Sequence, residues 1–134
     1  MIVKEVQSHK VENKKDMLDV RRLLSSKATA LGMSNMKETE LRTAASELLT
    51  NMIRYAGSGT ISIEQVEHET FKGIRATFED KGPGIVDINA ALEKGFSTGK
   101  SLGHGLSGCK NLVDSFDLFS EPGKGTRVVI TKWC

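Results

Sequence analysis

Three short segments, occurring in a fixed order, constrain the fold of this chain more than any other feature of its sequence. They are residues 47–51 (ELLTN), 80–85 (DKGPGI) and 103–108 (GHGLSG). Each segment by itself is a common pattern. Their order predicts a helix with an acid and a carboxamide on one face. It then predicts a strand-end carboxylate entering a glycine turn, and a glycine-rich loop that opens another helix.

The composition is that of an ordinary globular domain. The chain has 134 residues, of which 38% are hydrophobic and 27% charged, with a net charge of +2. This length suits one compact domain, residues 1–134. The small net charge gives no indication of a nucleic acid or a membrane surface as partner. The chain has no signal-peptide pattern and no apolar run of membrane-spanning length, so we expect a cytoplasmic protein.

The two cysteines also favour a reduced, cytoplasmic setting. Cys109 and Cys134 have neither metal-ligand spacing nor a disulfide framework. Cys109 falls at an apolar position of a predicted helix, and we expect it to be buried in the core.

Hydrophobic periodicity predicts an α+β domain. The predicted helices cover residues 15–31, 35–56, 88–94 and 105–113, and Ser34 is a suitable N-cap for the second. The predicted strands cover residues 2–6, 60–66, 74–78, 116–120 and 126–133. Residues 95–101 are rich in Gly, Ser and Thr and predict a flexible loop. We expect a two-layer α/β sandwich with a mostly antiparallel, mixed sheet and helices packed on one face.

Glu47 and Asn51 lie four residues apart on the second predicted helix, so their side chains share one face, one turn apart. Leu48, Leu49 and Met52 are expected on the buried side. A carboxamide oxygen is a suitable Mg²⁺ ligand when phosphates and water complete the coordination. A carboxylate one turn away can accept a proton from an incoming hydroxyl. Simple solvent exposure is the alternative interpretation of the pair.

Asp80 ends a predicted strand on the same face as Phe78 and Ala76, which indicates a partly buried carboxylate. Such a group needs a hydrogen-bond donor, and an adenine amine or a backbone N–H would serve. Gly82 and Gly84 then remove side chains where the chain is expected to pass close to a ring. An ordinary strand-to-turn Asp-x-Gly is the alternative.

The third segment is typical of anion binding. Gly103, Gly105 and Gly108 let backbone N–H groups approach phosphate oxygens, and the helix that begins near Gly105 adds its positive end. Lys100 and Ser101 lie beside this loop and are further candidates for phosphate contacts.

Two further residues complete the candidate set. Thr126 follows Gly125 at the start of the last predicted strand, where its hydroxyl is placed to contact adenine directly or through water. A plain β-turn exit is the alternative. His104 lies between two glycines, and we interpret it as an exposed loop residue rather than a catalytic one.

Other phosphate-binding patterns do not apply. Residues 103–108 match the dinucleotide fingerprint GxGxxG, but residues 97–102 cannot form the buried strand that must precede it. Residues 95–101 resemble a P-loop with three residues where the motif requires four. The His-Arg-Asp and Asp-Phe-Gly motifs of eukaryotic-type protein kinases are absent from the sequence.

These motifs together resemble the N, G1, G2 and G3 boxes of GHKL ATPases, the group that contains gyrase B, Hsp90, MutL and histidine kinases. The boxes correspond to residues 47–51, 80–84, 103–105 and 125–126, and the resemblance covers about residues 35 to 133. It implies the Bergerat fold, with ATP and Mg²⁺ as cofactors. It also implies that Asn51 holds Mg²⁺, Asp80 binds the adenine amine, Glu47 is the base, and residues 95–105 form a lid over the phosphates.

The implied nucleotide-binding residues are Asn51, Asp80, Gly82, Gly84, Ile85, Lys100, Ser101, Gly103, His104, Gly105, Leu106 and Thr126. The sequence departs from the family pattern at His104, where a small residue is common. Because the phosphate contacts of this loop are mainly made by the backbone, binding is expected to persist.

Within this group the chain resembles the RsbT-type switch kinases of the stressosome, on residues 55–57, 63–66, 95–98 and 132–133. Its length leaves no room for a histidine-bearing helix bundle or a transducer domain. The resemblance implies a serine/threonine-protein kinase that phosphorylates STAS-domain proteins in a partner-switching pathway and activates a PP2C-type phosphatase. The alternatives are an anti-sigma factor kinase that also sequesters a sigma factor, and a binding module with little turnover.

Overall fold

Helices pack on one face of a five-stranded sheet in the residues that the structure describes, 1–84 and 106–134. The structure is a computed structural model. The strands are β1 (Ile2–Val11), β2 (Gly59–His68), β3 (Phe71–Asp80), β4 (Ser115–Glu121) and β5 (Gly125–Trp133). The helices are α1 (Lys14–Ala30), α2 (Asn35–Asn51) and α3 (Leu106–Leu112), and a π-helical turn, Met52–Ala56, directly follows α2.

The sheet order is β1-β2-β3-β5-β4, and each neighbouring pair is antiparallel. The predicted two-layer α/β fold is therefore confirmed. Within the described residues the sheet has none of the parallel pairing that a mixed sheet would include. None of the helices in these residues has the length and apolar character needed to cross a membrane.

Local sequence signals fix where the two long helices begin. The side chain of Asn13 accepts a hydrogen bond from the Asp16 backbone N–H at 2.9 Å and caps α1. Ser34 accepts one from the Lys37 N–H at 3.2 Å and caps α2, as predicted. The helical region that α2 starts ends at Gly57, which has a φ of +83° that suits glycine.

The core lies between the helices and one face of the sheet. Cross-strand pairs such as Ile61 with Phe78 and Ile63 with Ala76 place apolar side chains side by side on that face. The helices contribute the buried residues Val20, Leu24, Ala28, Leu41, Ala44, Ala45, Leu48 and Leu49. The spacing that predicted these helices is thus the spacing of their buried stripes.

Strand β1 is longer than the predicted strand over residues 2–6. Its pairing with β2 continues to Val11 opposite Gly59, with an irregularity between Lys4 and Gln7, where Glu5 has a φ of +49°. Residues 2–8 of this edge strand are exposed, so burial imposes no alternation on them and the sequence carries no signal for the extension. The predicted helix at 88–94 and loop at 95–101 lie outside the described residues.

We expect Leu49→Ala to lower the free energy of unfolding by about 2–5 kcal/mol, because Leu49 is 0% exposed and its truncation leaves a cavity. Urea denaturation measures the change. The control is Met36→Ala on the same helix, where a side chain that is 70% exposed should give a change within about 0.5 kcal/mol. Equal effects of the two substitutions would contradict the placement of α2 against the sheet.

Candidate functional site

A cavity opens between the end of α2 and the sheet, where β3 ends and β5 begins. Among residues 1–84 and 106–134, the polar side chains that line it are those of Asn51, Tyr55, Asp80 and Thr126. Its apolar walls are formed by Leu48, Met52, Phe78, Leu106 and Val128, with Pro83 and Gly84 at the turn after β3. Apolar walls with a few convergent polar groups are typical of a small-molecule site.

The structure brings together most of the predicted site residues that it describes. Five of them line this cavity: Asn51, Asp80, Gly84, Leu106 and Thr126. Gly82 is bonded to one of the five, as described below. The other predicted nucleotide-binding residues, Ile85, Lys100, Ser101, Gly103, His104 and Gly105, lie outside the described residues.

One face of α2 and of the π-helical turn that follows it forms the helical side of the cavity. Leu48, Asn51, Met52 and Tyr55 line it with a spacing of three, four and seven residues, which places them on one stripe. Leu48 and Met52 are buried, as predicted. They do not lie on the side opposite Asn51, however, because the apolar stripe is wide enough to form both the core and the cavity wall.

The π-helical turn was not predicted. It directly follows Asn51 and carries Tyr55, which lines the cavity. Turns of this kind are rare and often occur at functional sites, because the wider helical ring changes which side chains face a ligand. The apolar periodicity of residues 35–56 is compatible with a continuous α-helix, so the change to a π-helical turn could not be predicted from it.

Asp80 lies at the end of β3, directly opposite Thr126 of β5. Its Oδ1 accepts a hydrogen bond from the Gly82 backbone N–H at 2.9 Å. Burial raises the pKa of Asp80, while the backbone N–H groups of Gly82 and Thr126 lower it. A carboxylate has about four acceptor positions, so Asp80 keeps acceptor capacity for a ligand N–H in the cavity.

The structure gives a reason for glycine in the turn after Asp80 that the sequence did not indicate. Gly84 has a φ of +78°, and a Cβ there would overlap the backbone carbonyl of Glu121. The Gly123 N–H also donates to the Pro83 carbonyl at 2.7 Å. The turn after β3 is therefore held against the turn between β4 and β5.

Ser120 of β4 is a polar residue beside the cavity that sequence reasoning missed. It pairs with Thr126, and the two hydroxyl oxygens lie 2.9 Å apart. The signal that identifies it is the cross-strand register of β4 and β5, which a single sequence does not specify.

Glu47 does not line the cavity. It is exposed on α2, one turn before Asn51, and lies beside α3. Burial raises the pKa of the Cys109 thiol on α3 to about 12, and the charge of Glu47 adds to this effect. The Cys109 thiol also contacts the Ala44 carbonyl at 3.6 Å, which confirms that Cys109 is a core residue.

The residues of the site suit a metal ion that is held mainly by a bound phosphate-containing ligand rather than by protein side chains. Within residues 1–84 and 106–134 there is no group of three or more His, Cys, Asp or Glu side chains that could hold a metal ion. Asn51 offers one carboxamide oxygen at the cavity wall. Mg²⁺ commonly takes one or two protein ligands and fills its other positions with phosphate oxygens and water.

The fold and the site define an ATPase-type nucleotide-binding domain, with a strand-end carboxylate facing a helix that carries a carboxamide. Residues 36–133 match the family described as histidine kinase-, DNA gyrase B- and HSP90-like ATPase. The chain belongs to this family, and the predicted GHKL membership is confirmed.

Individual relatives agree with the predicted subgroup. The serine/threonine-protein kinase RsbT of Bacillus subtilis (strain 168) is 44% identical over 118 residues, covering 88% of this chain and 89% of RsbT. An anti-sigma F factor of Thermoanaerobacter sp. (strain X514) is 30% identical, covering 84% and 82%. The catalytic domain of histidine kinase ThkA shares the fold, with a TM-score of 0.54, 16% identity, and coverage of 94% and 95%.

We expect Asp80→Asn to weaken ATP binding by about 1.5–3 kcal/mol, the value of a hydrogen bond to a charged group. Because the pKa of Asp80 is raised, wild-type affinity should fall as the pH drops through that value, and the variant should lack this dependence. Calorimetric titration with ATP on the acid side of neutrality measures both. Asp117→Asn, at an exposed position of β4, is the control. Parallel pH profiles for wild type and the Asp80→Asn variant would show that Asp80 only supports the turn.

The raised pKa of Asp80 affects the stability of the folded protein in the opposite direction to its effect on ATP affinity. The folded protein binds the Asp80 proton more tightly than the unfolded chain does. Its contribution to stability without nucleotide is therefore present at acid pH and lost as the pH rises through the raised pKa.

Proposed function

We propose that residues 1–134 form a single Mg²⁺- and ATP-dependent serine/threonine-protein kinase domain. The observation that carries the proposal is the convergence of Asn51, Asp80 and Thr126 on one apolar-walled cavity. These residues come from a helix and two neighbouring strands. They supply a ligand for a metal ion and hydrogen-bond acceptors for a purine base. The name of the relative with 44% identity, a serine/threonine-protein kinase, supports the kind of reaction.

The cavity suits a purine base. Phe78, Leu106 and Val128 provide apolar surface of the kind on which a flat ring packs. Asp80 accepts from the exocyclic amine of adenine, and the Thr126 hydroxyl contacts the same edge of the base. Burial raises the pKa of Asp80 because its charge lacks solvent, and a ligand N–H would compensate that loss.

Phosphoryl transfer depends mainly on positioning and on neutralising charge. Bound Mg²⁺-ATP supplies the phosphoryl group and the metal charge. Asn51 would hold the metal through its carboxamide oxygen, and Glu47 would accept the proton of the attacking hydroxyl while ADP leaves. The exposed position of Glu47, outside the cavity, suits contact with a serine presented by another protein. The phosphate contacts assigned to residues 100, 101 and 103–105 remain predictions.

The proposed substrates are STAS-domain proteins of a bacterial partner-switching pathway, and the chain is proposed to activate a PP2C-type phosphatase by binding it in the cytoplasm. The support is the similarity to RsbT over most of both chains. A second candidate is an anti-sigma factor kinase that sequesters a sigma factor and phosphorylates its antagonist. The anti-sigma F factor relatives at 30% identity favour it. Co-purification with a sigma factor distinguishes the two.

Incubation with radiolabelled ATP and purified STAS-domain proteins, with and without Mg²⁺, tests the proposal. We expect label on a serine or threonine only when Mg²⁺ is present. Asn51→Ala should reduce the transfer rate at least ~100-fold, the typical effect of removing one key electrostatic group. Asn111→Ala, at an exposed position of α3, should leave the rate unchanged. A rate near that of wild type for Asn51→Ala would refute the metal assignment.

Glu47→Gln separates catalysis from binding. We expect it to lower the transfer rate by roughly 10²- to 10⁴-fold, the contribution of a general base, while ATP affinity stays unchanged. ATP affinity should persist because Glu47 lies outside the cavity. Because glutamine keeps the shape of the side chain, the variant should still bind and activate the phosphatase. The readouts are label transfer, calorimetric ATP affinity and phosphatase activity. Undiminished transfer would show that another group accepts the proton.

A further inference from the structure

Three polar side chains form a row across the sheet at the cavity. Asp80 of β3 is directly opposite Thr126 of β5, and Thr126 is directly opposite Ser120 of β4. Directly paired residues of antiparallel strands project to the same face of a sheet. The row therefore lies on the face that carries the core and the cavity. Asp80 and Thr126 line the cavity, and Ser120 stands behind Thr126.

The hydrogen bonds of this row have a defined direction. The Ser120 hydroxyl lies 3.0 Å from the Gly125 carbonyl oxygen, which can only accept, so Ser120 donates its single proton there. The Ser120 and Thr126 hydroxyl oxygens lie 2.9 Å apart. Either hydroxyl can donate in this second bond, and a Ser120 proton directed to Gly125 leaves Thr126 as the donor. The Thr126 oxygen then presents only lone pairs to a ligand.

The backbone around Gly125 fixes the position of this acceptor. Gly125 is buried and has a φ of +93°, and a Cβ there would overlap the backbone carbonyl of Asp80. The carbonyl that receives the Ser120 proton thus belongs to a segment packed tightly against the end of β3. The direction of the Ser120 hydroxyl is set by backbone rather than by a mobile side chain.

We infer that Ser120 is a positioning residue that gives the site its selectivity for adenine over guanine, by directing the Thr126 proton away from the base. The inference rests on the proposed function, in which this cavity binds ATP. Asp80 and Thr126 then present acceptors only, which complement the amine at C6 of adenine. Guanine carries a carbonyl oxygen at that position, and this oxygen would face lone pairs without a donor. Without Ser120, the Thr126 hydroxyl can rotate and donate to guanine.

The test compares the affinities for Mg²⁺-ATP and Mg²⁺-GTP by calorimetric titration. Wild type should prefer ATP, and Ser120→Ala should reduce the ratio of the two affinities by roughly five- to tenfold, the value of one neutral hydrogen bond or slightly more. Ser120→Thr keeps the hydroxyl and should restore the ratio. Ser115→Ala, at an exposed position of the same strand, is the matched control and should leave the ratio unchanged.

A second variant separates this role from a structural one. Thr126→Val removes the hydroxyl that Ser120 directs, so adding Ser120→Ala to it should change the ratio no further. An unchanged ATP-to-GTP ratio in Ser120→Ala, even with weaker ATP binding, would overturn the inference. Equal binding of ATP and GTP by wild type would overturn it and leave the kinase proposal standing. Binding of neither nucleotide by wild type would overturn both.

Discussion

The direct pairing of Asp80 with Thr126 across β3 and β5 is the constraint on which the site depends. A shift of one residue in this register would turn one of the two side chains to the opposite face of the sheet. The register is held by the apolar pairs behind it, such as Phe78 with Val128, which bury their side chains under the helices. The hydrophobic core therefore positions the polar groups of the site, although none of its atoms needs to take part in chemistry.

The burial of the Asp80 carboxylate is unfavourable in the folded protein and favours a ligand that donates a hydrogen bond to it. Burial disfavours the charged carboxylate, and the backbone N–H groups of Gly82 and Thr126 compensate this cost in part. Partial compensation leaves a strong acceptor at an apolar wall, where a ligand donor gains more than it would in water. The turn that supplies the Gly82 N–H is itself held by backbone contacts to the β4–β5 turn. The acceptor is thus prepared before a ligand arrives.

The parts of the structure that the sequence predicted are those with a local signal. The cap Ser34, the apolar stripes and the strand-end position of Asp80 are determined by near neighbours along the chain. The extension of β1 was missed because an exposed edge strand has no alternation, and the π-helical turn because its apolar spacing resembles that of an α-helix. The role of Ser120 depends on which residue of β5 it faces, and that register is a property of the assembled sheet.

The site divides its tasks between the two layers of the fold. The proposed recognition of adenine lies on the sheet, in the row formed by Asp80, Thr126 and Ser120. The proposed metal ligand and general base lie on α2. The apolar residues Leu48 and Met52 join the layers, since each is buried in the core and also lines the cavity. Because well-packed side chains between the layers resist small displacements, we expect a substitution at Ser120 to change the hydrogen bonds of the row without moving Asn51. We therefore expect the proposed nucleotide selectivity and the proposed phosphoryl transfer to respond to different substitutions.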